Sequence, residues 1–527
     1  MMHLHTPHLS CLYENGHLRE IRAGGEQLVA VVYGAVRDES WGTIPCQVVQ
    51  EAIQQHGDGF TVSCVVRFGQ HESIFEATYT IEGRSDDSIS FEMKGVSNQR
   101  FNSNRIGICI HLPADECCSL PVTVTGNDGN ETPTEFPATI SPHQPFSSIR
   151  GIHWKTACGH AVHLQFEGDI FEAEDQRNWM DNSYKIYSRP LHLPFPFTVE
   201  KGDTMQQRWA LRFSKQTGAQ PAIKHKRSTE GYVPVPAIGL AAATGTALLT
   251  AAETDLLNCL PLRQYRAEVD FETDWKKTLN IHLANAESLS TCIELILFFS
   301  DNYLTEATAF AAFIHHRQSL VKSLLPLHKK HKATPAFLQQ YFYPFSKQQW
   351  PQVKTGYGTD AYFAELNRHR PENELFDFVI FSINPQVHVT DTPTLLDNIG
   401  SIPYMMETIR SFTGKPVYVS PVTLKKRKNH DAADNPHAPV DHTDDRLHTA
   451  FGAGWFLRCL YALHGAAQVS FFTTTGSSGL INNLHEPSPL YEVLQSLRAF
   501  SPVLMKLSGG DSFVFKNERN DELVLPA

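Results

Sequence analysis

From about residue 231 onward the chain repeats one pattern eight times: a short apolar run, then a stretch with helical periodicity. Short apolar runs bounded by helices mark strands buried on both faces, as in a parallel sheet with crossover helices. The runs are Val235–Ala241, Tyr265–Phe271, Ile293–Phe299, Phe337–Tyr343, Val353–Gly358, Phe376–Ile383, Pro416–Pro421 and Ala467–Phe472. Leu304–His328, Pro393–Thr413 and Thr449–His464 are among the helical stretches between them. Eight such repeats predict a (β/α)8 barrel of the TIM type. An open doubly wound sheet is the alternative, but no Gly-rich dinucleotide loop follows the first run to favour it.

Before the barrel the pattern is β throughout. Strand-like runs recur at Gln27–Tyr33, Phe60–Phe68, Ile74–Ile81, Ile89–Met93, Ile106–Leu112, Val162–Phe166 and Trp209–Phe213. Turn signals separate them, such as Gly57-Asp58-Gly59 and Gly126-Asn127-Asp128-Gly129. This predicts an antiparallel β-sandwich. Residues 214–230 are polar, include His225, Lys226 and Arg227, and read as the linker. After Ser501 the chain turns β-like again, at Ser512–Phe515 and Glu522–Leu525, either packing back on the sandwich or forming a small terminal sheet. The expected class is α+β multidomain: a sandwich over 1–215, a barrel over 231–500 and a short β segment over 501–527.

A chain of 527 residues, 41% hydrophobic and 19% charged, has ample material for two or three cored domains. Its net charge of -11 argues against a nucleic-acid partner. The densest basic run, Lys425-Lys426-Arg427-Lys428, is followed by His430, Asp431 and Asp434 and reads as a solvated loop. The N-terminus lacks a basic segment followed by an apolar one, so no secretory signal is expected. The longest apolar candidate for a membrane span, Ile293–Phe299, is strand-length and contains Glu294. Ten cysteines without a C-x-x-C pair, most in apolar runs (Cys64, Cys109, Cys292, Cys459), read as reduced core thiols of a cytoplasmic protein. No metal site or cofactor is expected: His315 and His316 are adjacent and diverge, and Gly476-Ser477-Ser478-Gly479 falls one residue short of a nucleophile elbow. Oligomeric state stays open.

Barrel enzymes place their chemistry at the C-terminal strand ends. Here the second run ends in Glu268-Val269-Asp270, and the fifth leads through Asp360 to Glu365, Asn367 and Arg368. The sixth ends Asn384-Pro385-Gln386-Val387-His388, with Asp391 beyond, and the seventh runs into Thr423, Lys425, Arg427 and Asn429. Such polar crowding suits a small polyhydroxylated ligand. His388 is the natural general acid or base, although a satisfied histidine under a loop would look the same. Glu365 and Asp391 are carboxylates for base or orienting roles, and Asp391 equally suits the N-cap of the helix from Pro393. Gln386, Asn367 and Arg368 are candidate substrate contacts. In the sandwich, the dense polar segment through Glu174, Asp175, Arg177, Asn178, Asp181 and Lys185 reads either as a surface loop or as a ligand-facing loop reaching the barrel mouth. In the second case Arg177 or Lys185 would grip a carbonyl or carboxyl oxygen.

These motifs resemble the D-apionate lactonase family. Glu174-Asp175-Gln176-Arg177-Asn178-Trp179, with Asp181, Ser183, Lys185 and Tyr187-Ser188, is similar to that family's EDQRNW-x-D-x-S-x-K-x-YS signature. Tyr362-Phe363-Ala364-Glu365-Leu366-Asn367-Arg368-His369-Arg370-Pro371 is similar to its YF-x-ELNR-x-RP stretch. Pro385–His388, Pro421–Leu424 and Ile140–Phe146 also fit. The resemblance implies hydrolysis of D-apionolactone to D-apionate in bacterial catabolism of a branched plant pentose, by an N-terminal domain, a barrel and a small C-terminal part. In one respect the chain departs from expectation: Thr473 stands where an acid before Thr-Thr-Gly would be expected in the eighth run.

Lactone hydrolysis needs a base for water, donors for the oxyanion and an acid for the departing ring oxygen. His388 takes the base or acid role in this reading, Arg177 or Lys185 serves the oxyanion, and Glu365 and Asp175 orient partners or hold hydroxyls. Glu174, Asn178, Asp181, Asn367, Arg368, Gln386 and Asp391 complete the expected substrate contacts. Two rivals stand beside this reading, a glycoside hydrolase and a non-catalytic carbohydrate-binding protein, and a metal-dependent hydrolase stays open as a third.

Overall fold

The computed structural model describes residues 1–70, 72–216, 231–430, 436–482, 486–510 and 512–527. The expected linker falls largely on 217–230, outside the described residues, as do Asp431 and Asp434 of the basic segment.

Between Met2 and Ser214 the strands join into one antiparallel sheet system that folds over as two arms. One arm runs through Leu9–Glu14, His17–Ala23, Glu26–Asp38, Phe101–Pro113, Ser183–Tyr187 and Phe171–Asp175, each paired to the next. The other runs through Cys46–His56, Gly59–Phe68, Phe75–Gly83, Ser88–Ser97, Thr204–Ser214 and Ala161–Glu167. Strand Phe146–Lys155 belongs to both arms: its second half pairs with Ala161–Gln165, while Phe146 and Ile149 pair with Ala173 and Phe171 across a register shift. A strand that changes partners at an irregularity is how a sandwich turns its corner. The facing surfaces alternate buried and solvated residues, as in Gly59–Phe68. They also close tightly, since a Cβ at Gly34 would run into the Tyr79 hydroxyl from the other arm.

Eight parallel strands close the barrel: Ala237–Ala241, Gln264–Asp270, Cys292–Phe299, Val321–His328, Lys354–Gly358, Phe378–Ile383, Val417–Val422 and Gln468–Thr475. Pairing of Ala237–Ala241 with Gln468–Thr473 completes the circle. The fourth strand is a correction. Phe337–Tyr343, expected there, lies in the helix Ala336–Gln349, and the true strand Val321–His328 occupies the end of the expected helix Leu304–His328. Aromatic content disguised the helix, whose buried positions Leu338, Phe342 and Ser346 recur every four residues.

Ile296, Phe298, Leu325, Leu327, Phe378, Ile380 and Tyr418 form an apolar cluster in the barrel. Beyond the last barrel helix, Leu504–Ser508, Ser512–Lys516 and Glu522–Pro526 form a small antiparallel sheet with Val233–Pro234. Two compact units result. One holds Met1–Arg177 and the chain from Asn182 to the last sandwich strand. The other holds the barrel, the terminal sheet and the four residues Asn178–Asp181.

Candidate active site

The sixth barrel strand, Phe378–Ile383, is buried at every position and releases the chain into Asn384–His388. There the His388 Nδ1 lies 2.5 Å from Asp181 Oδ2. Asp181 Oδ1 accepts a bond from Asn398 Nδ2 at 3.2 Å, and the Ser401 hydroxyl donates to the Met180 carbonyl at 2.8 Å. Asn178 Oδ1 accepts from Asn367 Nδ2 at 3.0 Å. The Trp179 ring has the Arg368 guanidinium 5.1 Å from its centre and stands edge-on to His388 at 6.0 Å. The side chains of Asn178, Trp179 and Asp181 and the Met180 carbonyl are therefore bound to the segments that follow the fifth and sixth strands. This arrangement brings together five expected residues, namely Asn178, Asp181, Asn367, Arg368 and His388.

The remaining candidates stand elsewhere or are occupied. Glu365 is buried on the short helix Phe363–Arg368, 3.8 Å from Lys332 Nζ and 3.8 Å from Arg368. Gln386 donates to the Leu424 carbonyl at 2.9 Å and to Asp444 at 2.6 Å, which ties two loops together. Asp391 accepts from the Thr394 amide and caps the helix Thr392–Asp397. Arg177 is fully buried in the N-terminal unit, where Nε and Nη2 bind Asp175 at 2.8 and 2.7 Å and Nη2 also donates to the Pro137 carbonyl. Asp175 further accepts from the Ser141 amide at 3.0 Å. Glu174 pairs across strands with Lys185, a buried lysine whose pKa burial pulls below its ordinary value.

Sequence reading named Glu268, Asp360 and Arg427 among the polar strand ends but missed the group they form at the barrel mouth with Arg266, Lys428 and His437. Lys428 donates to Asp360 Oδ2 at 2.5 Å and to Glu268 Oε2 at 2.8 Å. Arg427 and Arg266 both reach Glu268 Oε1, at 2.8 and 2.7 Å. His437 lies 3.2 Å from Asp360 Oδ1, and the Lys428 ammonium sits 4.1 Å from the Phe298 ring centre. The basic run is thus no solvated loop: Lys426 is exposed, but Lys428 is buried and Arg427 largely so. Burial alone would raise the Glu268 carboxyl, yet Lys428, Arg266 and Arg427 outweigh it and hold it well below the usual range. Asp360 behaves alike under Lys428 and His437. The signal was present in Gln264-x-Arg266-x-Glu268, three polar residues at alternate positions of one strand and so on one face. Deeper in the barrel Glu294 accepts from Ser420 and, at 2.5 Å, from Gln468, and burial raises its carboxyl. Thr473, in place of the expected acid, directs its hydroxyl to the Thr475 carbonyl. Cys292, expected in the core, is exposed at the start of its strand, and all ten cysteines are free. Among the described residues no helix is long and apolar enough to cross a membrane.

Two family models match the chain: D-apionate lactonase, N-terminal domain, over residues 1–216, and D-apionate lactonase, TIM barrel domain, over residues 238–502. A D-apionate lactonase of Brucella anthropi is 28% identical over 570 residues, covering 99% of this chain and 90% of that protein. Among solved structures, a Clostridium papyrosolvens GH30 endoxylanase aligns with TM-score 0.38 at 11% identity, over 56% of this chain and 82% of its own. An endo-1,4-β-D-mannanase of Thermotoga petrophila aligns with TM-score 0.35 at 9% identity, over 51% and 99%.

Proposed function

The chain belongs to the D-apionate lactonase family, and on that premise we propose that it hydrolyses D-apionolactone to D-apionate in bacterial catabolism of apiose, with His388 as the base. The observation that carries the assignment of the base is the His388–Asp181 pair at the end of the sixth strand. A carboxylate on Nδ1 fixes the tautomer in which Nε2 is the proton acceptor, and stabilises the imidazolium that forms. Nε2 takes a proton from water as the water oxygen bonds to the lactone carbonyl carbon. The Arg368 guanidinium, held beside Trp179, serves the oxyanion. Collapse breaks the bond from carbonyl carbon to ring oxygen, and His388 returns its proton to that oxygen. Glu365 positions Arg368. Arg177, its donors bound to Asp175 and to a backbone carbonyl, holds its own segment instead of touching substrate. The ten free cysteines fit a cytoplasmic setting.

The glycosidase alternative fares worse. It needs one carboxyl that stays protonated near neutral pH; Glu268 and Asp360 are held well below the usual range, and Glu294, raised by burial, lies deeper in the barrel bonded to Ser420 and Gln468.

Lactone opening followed with a pH indicator tests the proposal. His388→Ala should lower kcat by roughly 10²- to 10⁴-fold, and Asp181→Asn should lower it as well, by leaving the wrong tautomer. Wild-type rates in both folded variants would sink the assignment of the base. A wild-type protein that opens no sugar lactone, or that releases reducing sugar from apiosides, would sink the lactonase reading.

A further inference from the structure

The loop after the seventh strand returns into the barrel mouth and carries His430 with it. The ring is 5% exposed, stands edge-on to Tyr362 at 5.2 Å and lies 6.2 Å from His437. Its neighbours are committed. Lys428 bridges two carboxylates, Arg427 binds Glu268, and His437 has Asp360 on one nitrogen and the His331 carbonyl on the other at 3.2 Å. The Nδ1 of His430 is buried with no hydrogen-bond partner among the described residues. Buried polar atoms in native proteins are almost always paired, so an orphan at the catalytic end of a barrel is placed to receive a hydrogen bond from a bound ligand.

The kind of partner follows from the surroundings. Burial drops the imidazole to about 4, so it is neutral at working pH and offers one donor and one acceptor nitrogen. Lys428 and Arg427 are bonded to Glu268 and Asp360, and a neutral imidazole adds no charge with which to hold an anion. An uncharged hydroxyl needs only the single hydrogen bond that Nδ1 lacks. Resting on the lactonase reading above, we infer that His430 is a specificity residue that hydrogen-bonds a hydroxyl group of the sugar lactone and takes no part in proton transfer.

Steady-state kinetics on D-apionolactone separate this from a structural role. His430→Phe keeps a flat ring and removes the hydrogen bond. It should raise KM about tenfold to a hundredfold, the usual cost of a missing hydroxyl contact, with kcat within about twofold and the pH profile unmoved. His430→Gln, which keeps a donor and an acceptor, should restore most of the loss. Because removal of uniform binding appears in KM alone, an unchanged KM, a fall carried by kcat, or a shifted pH profile in folded His430→Phe overturns the proposal. Should that variant not fold, His430→Leu, which also removes the hydrogen bond, is read on the same two constants. Failure of the lactonase reading appears earlier, as a wild-type protein with no lactone turnover, and is thus distinct from failure at His430.

Discussion

Lys428 and Arg177 show what a buried charge requires. Each lies in a compact unit with almost no exposure and binds carboxylates at 2.5 to 2.8 Å. Replacing one member of such a pair leaves the other charge sealed away from water, at about 3–5 kcal/mol. We expect Arg177→Met to lose that much in chemical denaturation, while the kcat of its folded fraction stays within about threefold of wild type. A selective loss of kcat without loss of stability would instead return Arg177 to the chemistry. The sequence made the polar end of the sixth strand legible; the structure pairs His388 there with Asp181, while Gln386 ties two loops and Asp391 caps a helix. The sequence concealed Lys428, since a basic run looks the same whether its partners are water or the carboxylates Glu268 and Asp360, which stand 160 and 68 positions earlier.

Elements were readable where their period was clean. The sixth strand and the helix Ala450–Ala462 lie close to where hydrophobic spacing puts them. The fourth strand did not, because Val321-Lys322-Ser323-Leu324-Leu325 follows a helix and a helical turn without a break signal, while Phe337–Tyr343 has the aromatic look of a strand. Closure of the barrel sets its own local demands. Gly358 ends the fifth strand at φ 148°, and a Cβ there would run into the Ile380 carbonyl of the sixth. Gly358→Ala should therefore cost at least about 1–3 kcal/mol, read as a lowered denaturation midpoint. It should also impair turnover, because Asp360 and the Phe363–Arg368 helix follow directly. A neutral substitution would mean that the fifth and sixth strands separate at that point.

For the whole molecule, buried histidines govern behaviour in acid. Burial lowers His282 and His430 from their ordinary value of 6.5 to about 4 and lowers the half-buried His442 as well. Between about 6.5 and 4 the unfolded chain binds protons that the folded one refuses, so stability is full above 6.5 and drains as pH falls. Each of the two strongest cases contributes a slope of roughly 1.4 kcal/mol per pH unit across that window. Glu294 and Asp169, raised by burial, pull the opposite way. Urea midpoints from pH 7.5 to 4.5 should decline, and His282→Gln should flatten the decline. An unchanged slope in that variant would show that His282 is not the proton acceptor.

The four residues Asn178–Asp181 are encoded between two strands of the sandwich yet belong to the barrel's unit. A gene fragment that began at the first barrel strand would supply His388 without Asp181, and an imidazole free to take either tautomer. On the reading proposed for His388, the barrel is thus not a portable catalytic cassette. Recombination that exchanged N-terminal domains among relatives would keep the His388–Asp181 pair only if the incoming domain carried its own Asn-Trp-Met-Asp at the same register.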